Sequence, residues 1–161
     1  MKALVTGASS GIGKDIAIEL TKRGYELILV ARNKEKLEEV AKKLNTKNKI
    51  IIKDLSNVQN CIDLYEETKN EDIDILVNNA GFGTHGKFTE TELDKEINMI
   101  NTNITALHIL TKLFLKDMVK KDKGHILNVA SMAAFAPGPL MSAYYASKSY
   151  VYRLSQGIKI E

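Results

Sequence analysis

Regular alternation of short apolar runs with amphipathic segments is the feature that most constrains how this chain of 161 residues can fold. Five runs rich in aliphatic and β-branched residues are predicted as strands: Lys2 to Thr6, Glu26 to Ala31, Lys49 to Lys53, Ile73 to Val77 and His125 to Val129. Their continuous apolar character is typical of a parallel sheet covered on both faces. Strand and helix in turn predict an α/β fold, a doubly wound parallel sheet in three α/β/α layers with right-handed crossovers.

The segments between the strands carry apolar residues at helical spacing. Apolar stripes fall at Ile12, Ile16 and Leu20, at Leu37, Val40, Ala41 and Leu44, and at Val58, Ile62 and Tyr65. From about Glu92 to Lys120 the apolar residues exceed what one stripe needs, which predicts one long helix buried on two sides. A last helix is predicted from Ser142 to the end of the chain. In such sheets ligands bind at the carboxyl ends of the strands, where the strand order reverses, so a site is expected there.

Composition and charge exclude several classes of protein. Apolar residues make up 44% of the chain and charged residues 27%, with a formal net charge of +3. Because Lys and Arg are spread through the predicted helices rather than gathered in a tract, we expect no nucleic-acid partner. No apolar run approaches the roughly 20 residues of a spanning helix, so we expect no membrane segment. We expect one domain over residues 1–161, located in the cytoplasm, where the single Cys61 is a small buried hydrophobe.

A glycine-rich turn follows the first predicted strand directly. Residues 6–13 read Thr-Gly-Ala-Ser-Ser-Gly-Ile-Gly, and a helix begins within them. Gly7 permits a tight turn, Gly11 lets the backbone approach a pyrophosphate, and Gly13 allows the helix to pack close to the strand. A turn that only connects two elements is the alternative, but the position between strand and helix favours dinucleotide binding. The residues predicted to bind the phosphates are Gly7, Ser9, Ser10, Gly11, Ile12 and Gly13.

The end of the second predicted strand indicates which dinucleotide binds. An acidic residue there would hold the ribose hydroxyls of NAD, but the chain has Arg32 followed by Asn33. A cation at this point would meet the 2′-phosphate of NADP, so NADP(H) is expected in preference to NAD(H). The alternative is that Arg32 is a solvated charge beside Asn33, which caps the next helix.

A tyrosine and a lysine four residues apart indicate proton-transfer chemistry. Tyr144 and Lys148 lie at the start of the last predicted helix and project from the same face. A nearby ammonium favours the ionised phenol and lowers its pKa from about 10, which suits acid–base catalysis. Ser131, at the carboxyl end of the fifth predicted strand, could hold a carbonyl oxygen beside the phenol. Taken alone, such a Tyr–Lys pair is more often a solvated helix edge.

Taken together, these motifs resemble the short-chain dehydrogenase/reductase family, in the group marked by T-G-x-x-x-G-x-G and Y-x-x-x-K. The resemblance covers the whole chain and also includes Asp54-Leu55 after the third strand, Asn78-Asn79-Ala80-Gly81 after the fourth, and an asparagine in the long helix. It implies a Rossmann-like fold and a hydride transfer between a nicotinamide cofactor and a carbonyl or secondary alcohol. The family normally continues through further strands and a substrate lid, which we expect this chain to lack.

The resemblance also assigns roles to residues. Tyr144 would be the general acid or base, Ser131 would hydrogen-bond the substrate oxygen, and Lys148 would hold the nicotinamide ribose and lower the tyrosine pKa. Asn103 matches the helix asparagine that supports a water in the proton relay; Asn101 competes for that role but fits the pattern less well. Asp54, with Leu55, would meet the adenine, and Asn79, Ala80 and Gly81 would border the adenosine. A helix cap for Asp54 and a simple turn for the asparagine–glycine cluster are the structural alternatives.

Other residues receive weaker assignments. His85, His108 and His125 lack metal-ligand spacing, so they are interpreted as structural or solvated and no metal site is expected. Tyr145 lacks a lysine four residues later and is assigned to packing or the substrate rim. The implied partners are a small carbonyl or alcohol substrate and a second copy of the chain, bound through the long helix and the last helix. The alternative function is an NADP-binding module without catalysis, either a redox sensor or a shortened remnant.

Overall fold

A computed structural model describes residues 1–161 and contains one sheet of five parallel strands. The strands are β1 (Lys2–Thr6), β2 (Glu26–Ala31), β3 (Asn48–Ile52), β4 (Ile75–Asn78) and β5 (His125–Asn128), in the order β3-β2-β1-β4-β5. The predicted doubly wound α/β fold is confirmed. The order reverses between β1 and β4, so a crevice opens where the carboxyl ends of these two strands diverge.

Helices cover both faces of the sheet. They are α1 (Gly11–Lys22), α2 (Lys34–Ala41), α3 (Val58–Thr68), α4 (Leu93–Ile100), α5 (Leu107–Lys121) and α6 (Ser142–Ile160). One apolar core joins the sheet to α3 and α5 and includes Cys61 and Phe114; the other joins it to α1 and α2 and includes Ala17 and Leu37. Cys61 is fully buried, and burial raises the pKa of its thiol to about 11, so it packs as a small apolar residue. None of the helices is long and apolar enough to cross a membrane.

The predicted strand ends need small corrections. β1 and β2 have the predicted bounds, whereas β3 both begins and ends one residue earlier and β5 ends one residue earlier. β4 runs from Ile75 to Asn78, so it begins two residues later and ends one residue later than predicted. The reason is local: Asp72 has a φ of 51°, and the Asp74 carboxylate accepts a hydrogen bond of 2.8 Å from the Lys2 backbone N–H, so the chain is still entering the sheet there. Ile73 is nevertheless buried, which explains its place in the apolar run.

The long helix expected from Glu92 to Lys120 is interrupted. A π-helical turn over Asn101–Ala106 lies between α4 and α5. A π turn holds one more residue than an α turn between its hydrogen-bonded groups. Here it places the Asn103 side chain inside the protein, 1% exposed, where it bonds to the backbone of Phe82. The π turn therefore occurs together with the polar contact between Asn103 and Phe82. The spacing of apolar residues does not reveal such a turn.

Candidate active site

A cleft of about 840 Å³ lies at the carboxyl ends of the strands, where the topology predicts a ligand site. Most residues proposed from the sequence line it: Gly7, Ser9, Ser10, Gly11, Ile12, Arg32, Asp54, Leu55, Asn79, Ala80, Gly81, Tyr144 and Lys148. Gly13, Asn103 and Ser131 are not among the lining residues. The structure thus brings the two halves of the expected site, the glycine turn and the Tyr–Lys pair, into one cleft.

The glycine turn is shaped by close backbone packing on one side and open space on the other. Gly7 has a φ of +64°, and a Cβ there would lie 2.8 Å from Asn79 Nδ2 and 2.9 Å from Ala80 Cα. At Gly13 a Cβ would overlap the Gly7 carbonyl oxygen and Asn79 Nδ2. Gly11, at a φ of +53°, has no heavy atom within 4 Å of the position its Cβ would take. Gly11 therefore leaves the cleft side of the turn free for a ligand to approach.

The N-terminus of α1 is not capped by a side chain. Its N-cap residue, Ser10, makes no side-chain cap hydrogen bond, and the first turn contains no acidic residue. By contrast, the Asn33 side chain accepts a hydrogen bond of 2.8 Å from the Lys36 N–H at the start of α2, and Asn57 does the same at α3. Open N–H groups at the positive end of a helix dipole bind anions. The α1 terminus and the space beside Gly11 therefore fit the pyrophosphate of a dinucleotide.

Thr6 and Asn79 tie together the two turns that form the crevice. The Thr6 hydroxyl accepts hydrogen bonds of 3.0 Å from the backbone N–H groups of both Asn79 and Ala80, and donates one of 3.2 Å to the Val77 carbonyl. Asn79 Nδ2 donates to the carbonyl oxygens of Thr6 at 3.1 Å and Gly7 at 3.3 Å. Asn79 thus holds the turn after β4 against the turn after β1, and it also lines the cleft.

Charge in the cleft is predominantly positive. Four cationic side chains line it (Arg32, Lys36, Lys53 and Lys148), against the single carboxylate of Asp54. Arg32 Nη1 lies 3.8 Å from Asp54 Oδ2. Such an imbalance favours an anionic ligand.

Asp54 is held ionised in a defined position. Burial opposes its ionisation, but hydrogen bonds from the Ser56 N–H at 3.0 Å and the Ser56 hydroxyl at 2.8 Å, together with the Arg32 charge, outweigh burial and hold the pKa of Asp54 below its ordinary value. The cap of α3 is Asn57, so the helix-cap alternative for Asp54 is wrong. Asn33 does cap α2, as the alternative interpretation of the Arg32 region expected.

Tyr144 and Lys148 form the other end of the cleft, one helical turn apart on α6. Tyr144 is half-buried, and Lys148 is 6% exposed. Lys148 Nζ donates a hydrogen bond of 2.8 Å to the Val129 carbonyl and lies 5.9 Å from the centre of the Tyr144 ring. Burial lowers the pKa of Lys148 below its ordinary value. The two side chains face the same cleft, as the four-residue spacing predicts.

Asn103 lies next to the end of the cleft formed by Tyr144 and Lys148, which is called here the phenol end. Its Oδ1 accepts a hydrogen bond of 3.0 Å from the Phe82 N–H, and its Nδ2 donates to the Phe82 carbonyl at 2.9 Å and to the Ser147 hydroxyl at 3.1 Å. A Cβ on Gly81 would lie 2.9 Å from Asn103 Oδ1 and 3.7 Å from Lys148 Nζ. Asn101 instead lines a smaller hollow with Ser56 and Asn57. The geometry thus places Asn103, rather than Asn101, beside the Tyr–Lys pair.

A partly buried network of polar side chains joins α6 to the sheet. Asn78 Nδ2 donates to Asn128 Oδ1 at 2.9 Å and to the Thr111 hydroxyl at 3.0 Å, and Asn128 Nδ2 donates to the Ser155 hydroxyl at 3.0 Å. Ser155 lies two helical turns beyond Lys148 on α6. This hydrogen-bond network sets the position of α6, which carries Tyr144 and Lys148, relative to β4 and β5.

Ser131 and Tyr145 occupy defined places near the phenol end. The Ser131 hydroxyl oxygen accepts a hydrogen bond of 3.1 Å from the Ala133 N–H and caps the 3₁₀ helix Met132–Phe135; Ala130, one residue before it, lines the cleft. The Tyr145 ring packs directly on Gly138, where an added Cβ would overlap it. Tyr145 therefore serves packing, one of its two expected roles.

Several lining residues carry no motif and were not predicted from the sequence. They are Val30, Ala31, Asn33, Lys36, Lys53, Phe82, Gly83, Thr102, Val129, Ala130 and Met141. Position relative to a motif could have suggested some of them: Lys36 follows Arg32 by one helical turn, and Met141 precedes Tyr144 by three residues. Gly83 packs so closely that a Cβ would lie 3.0 Å from Met141 Cε and 3.2 Å from Tyr144 Cδ2.

The three histidines lie on three different kinds of element. His85 is in the loop before α4 and His125 begins β5. His108, on α5, has its Nδ1 2.7 Å from the Tyr150 hydroxyl on α6. No three His, Cys, Asp or Glu side chains come together in a way that could hold a metal ion.

An open helix terminus and a glycine turn at the strand-order reversal are the features of a Rossmann-like fold, and the Tyr–Lys pair lines the same crevice. The chain belongs to the short chain dehydrogenase family, whose sequence pattern it matches over residues 1–161. It is 39% identical to the very-long-chain 3-oxoacyl-CoA reductase-B of Danio rerio over 99% of this chain and 54% of that protein. It is 36% identical to an uncharacterised oxidoreductase of Staphylococcus epidermidis over 99% of this chain and 70% of that protein.

The fold is also similar to solved structures of this family. A short-chain dehydrogenase from Sphingobium yanoikuyae in complex with NADPH superposes with a TM-score of 0.93 at 34% identity, over 99% of this chain and 64% of that one. The chain therefore spans between 54% and 70% of the length of these three proteins.

Proposed function

We propose that this protein is an NADP(H)-dependent oxidoreductase that transfers hydride between nicotinamide and a carbonyl compound or secondary alcohol. The observation that carries the proposal is the single cleft with the uncapped N-terminus of α1 at one end and Tyr144 with Lys148 at the other. A dinucleotide that rests its pyrophosphate on the helix end has its nicotinamide half available to the tyrosine end. The bound nicotinamide supplies or accepts the hydride, and the side chains of this chain handle the proton.

Tyr144 is the general acid in carbonyl reduction and the general base in alcohol oxidation. The residue lines the cleft from the first turn of α6, and its hydroxyl gives a proton to the substrate oxygen or takes one from it. Lys148, held by the Val129 carbonyl, presents an ammonium beside the Tyr144 ring and would hold the nicotinamide ribose. Ser131 would hydrogen-bond the substrate oxygen once its hydroxyl turns toward the cleft, and Asn103 would support a water in the proton relay.

The preference for NADP(H) over NAD(H) rests on charge. Arg32 lines the cleft beyond the end of β2, where the ribose 2′-oxygen would arrive, and Asp54 beside it would meet the adenine. Gly7, Ser9, Ser10, Gly11 and Ile12 would hold the phosphates, and Leu55 with Asn79, Ala80 and Gly81 would border the adenosine, with Gly13 packed behind them. A relative of this fold that binds NADPH agrees with this choice.

The experiment compares Tyr144→Phe with its neighbour Tyr145→Phe. NADPH oxidation is measured against a panel of carbonyl compounds, and NADPH binding is measured by nicotinamide fluorescence. We expect Tyr144→Phe to lose at least about a hundredfold in turnover, the lower range for general acid–base catalysis, while NADPH affinity stays within about twofold. Tyr145→Phe removes the same hydroxyl from a ring packed on Gly138 and should retain turnover. Unchanged turnover in Tyr144→Phe would refute the mechanism, and NADPH binding with no turnover in the parent chain would favour a binding module.

We also propose that two copies associate through α4, α5 and α6. Apolar side chains remain exposed on the outer side of these helices, including Leu93 at 69%, Ile97 at 47% and Tyr150 at 37%. Light scattering after gel filtration tests this directly: a dimeric or larger mass is expected, and a monomer at high concentration contradicts it. The single buried cysteine favours a reducing compartment, so we propose a cytoplasmic location, to be tested with a fluorescent fusion.

A further inference from the structure

We propose that Lys36 is a second side chain that recognises the 2′-phosphate of NADP(H), together with Arg32. This inference rests on the proposed preference for NADP(H). No motif identifies Lys36, but it lines the cleft with Arg32 and lies one helical turn after it, on the first turn of α2. Residues four apart on a helix, or at its entry, present their side chains to a common surface.

Lys36 is the cation of the cleft with no partner of its own. Lys53 Nζ lies 2.7 Å from Glu67 Oε1, Lys148 Nζ donates to the Val129 carbonyl, and Arg32 Nη1 lies 3.8 Å from Asp54 Oδ2. Lys36 has no carboxylate oxygen within 4.0 Å of its Nζ, and its side chain is exposed to the cleft mouth. An ammonium in this position is available to a ligand without first breaking an ion pair.

The start of α2 already has a side-chain cap. The Asn33 side chain accepts the hydrogen bond of the Lys36 N–H at 2.8 Å, whereas the N-terminus of α1 has no such cap. The side-chain cations are therefore the groups at this end of the cleft that bring a full positive charge to an anion. A phosphate dianion has three acceptor oxygens, enough for both the planar guanidinium of Arg32 and the point charge of Lys36.

If Arg32 and Lys36 both bind the 2′-phosphate, single and double substitutions should weaken its binding to different extents. Because Asp54 lies beside Arg32 and partly neutralises it, Lys36 contributes a comparable share of the attraction. Removal of either cation should weaken binding of a 2′-phosphate and leave some discrimination, whereas removal of both should abolish it. If Arg32 acted alone, its removal would abolish discrimination and Lys36 would not matter.

The test measures binding of two nucleotide fragments by calorimetry, so that it needs no substrate. The probes are 2′,5′-ADP and 5′-AMP, which differ only in the 2′-phosphate, and the variants are Lys36→Ala, Lys36→Arg, Arg32→Ala and the double alanine variant. The matched control is Lys34→Ala, which removes the same charge from the same helix at a residue that does not line the cleft and pairs with Glu38 at 3.8 Å.

We expect Lys36→Ala to weaken 2′,5′-ADP by about fivefold, a modest loss fitting an exposed charge, with 5′-AMP unchanged, and Lys36→Arg to restore affinity. Equal effects of Lys36→Ala and Lys34→Ala would overturn the proposal. If the parent chain bound 2′,5′-ADP no more tightly than 5′-AMP, the preference for NADP(H) itself would fail. If Arg32→Ala alone abolished discrimination, the preference would stand and only the role of Lys36 would fail.

Discussion

The two ends of the cleft are built in different ways. The end of the cleft formed by the turns after β1 and β4 is called here the nucleotide end. Its backbone atoms lie so close together that Gly7 and Gly13 have no room for a Cβ. At the phenol end, side chains from separate elements make the contacts: Asn103 reaches Phe82 and Ser147, and Lys148 reaches Val129. A substitution that adds an atom should therefore disrupt the nucleotide end, whereas a substitution that removes a polar group should disrupt the phenol end.

Because of this difference, the nucleotide end depends on backbone geometry and the phenol end depends on particular side chains. A pyrophosphate can be bound by backbone N–H groups that any sequence supplies, provided that small residues let the chain turn. Proton transfer needs a particular hydroxyl and a particular ammonium, and burying that ammonium costs folding free energy. We therefore expect substitutions at the nucleotide end to lower stability and binding together, and some substitutions at the phenol end to lower activity without lowering stability.

Gly13→Ala should have the largest effect on stability. Its added methyl group would overlap the Gly7 carbonyl and Asn79 Nδ2, and backbone on one side cannot move without opening the turn. We expect the free energy of unfolding to fall by about 3 kcal/mol, the upper range for overpacking, with loss of nucleotide binding. Urea denaturation measures the change.

The matched control for this substitution is Gly157→Ala. Gly157 lies inside α6, with a φ outside the left-handed region and no atom within 4 Å of its Cβ position. Alanine there should raise the free energy of unfolding by up to about 1 kcal/mol. If Gly13→Ala behaved like Gly157→Ala, close packing of the glycine turn would not be what forms the nucleotide end.

Asn103→Ala should have the next largest effect. The change leaves the Phe82 N–H and carbonyl without their side-chain partner, and a buried group without its hydrogen bond costs about 1 to 3 kcal/mol. We expect a loss of about 2 kcal/mol in the free energy of unfolding. Asn101→Ala, in the same π turn but facing the smaller hollow, should change it by less than about 0.5 kcal/mol. Equal losses would show that the π turn, and not the Asn103 contacts, is what matters.

Lys148→Met should change stability less than Gly13→Ala and Asn103→Ala do, and with the opposite sign. Burial lowers the pKa of Lys148, which means that its charged form is disfavoured in the folded protein. An apolar side chain of similar length should therefore raise the free energy of unfolding by about 1 kcal/mol while turnover is lost. A fall in stability by a similar amount would show that the hydrogen bond to Val129 outweighs the cost of burying the ammonium.

The sequence predicts the nucleotide end better than the phenol end, for physical reasons. Gly7, Gly11 and Gly13 act through backbone geometry, which depends on local spacing and so can be recognised in a short segment. The partners of Asn103 and Lys148 lie on other elements, 21 and 19 residues away, and become neighbours only in the folded chain. The family resemblance supplies their identity, but not the contacts that they make.

Two further features escape the sequence pattern. The π turn at Asn101–Ala106 accompanies a polar contact, so apolar periodicity continues through it and predicts one uninterrupted helix. Lys36 resembles any other solvated lysine of α2 until the cleft is known, since only the positions of Glu38 and Glu67 show which neighbouring lysines are paired. Fold class and the glycine turn follow from local patterns, whereas pairing of charges requires the assembled structure.

A crystal structure of the chain with bound NADP⁺ tests the central claim most directly, because that claim concerns how one cleft joins a phosphate site to a phenol. We predict the pyrophosphate at the N-terminus of α1 beside Gly11, the 2′-phosphate at Arg32, and the nicotinamide ring beside Tyr144. A nucleotide bound elsewhere, or bound with its nicotinamide turned away from Tyr144, would contradict the account.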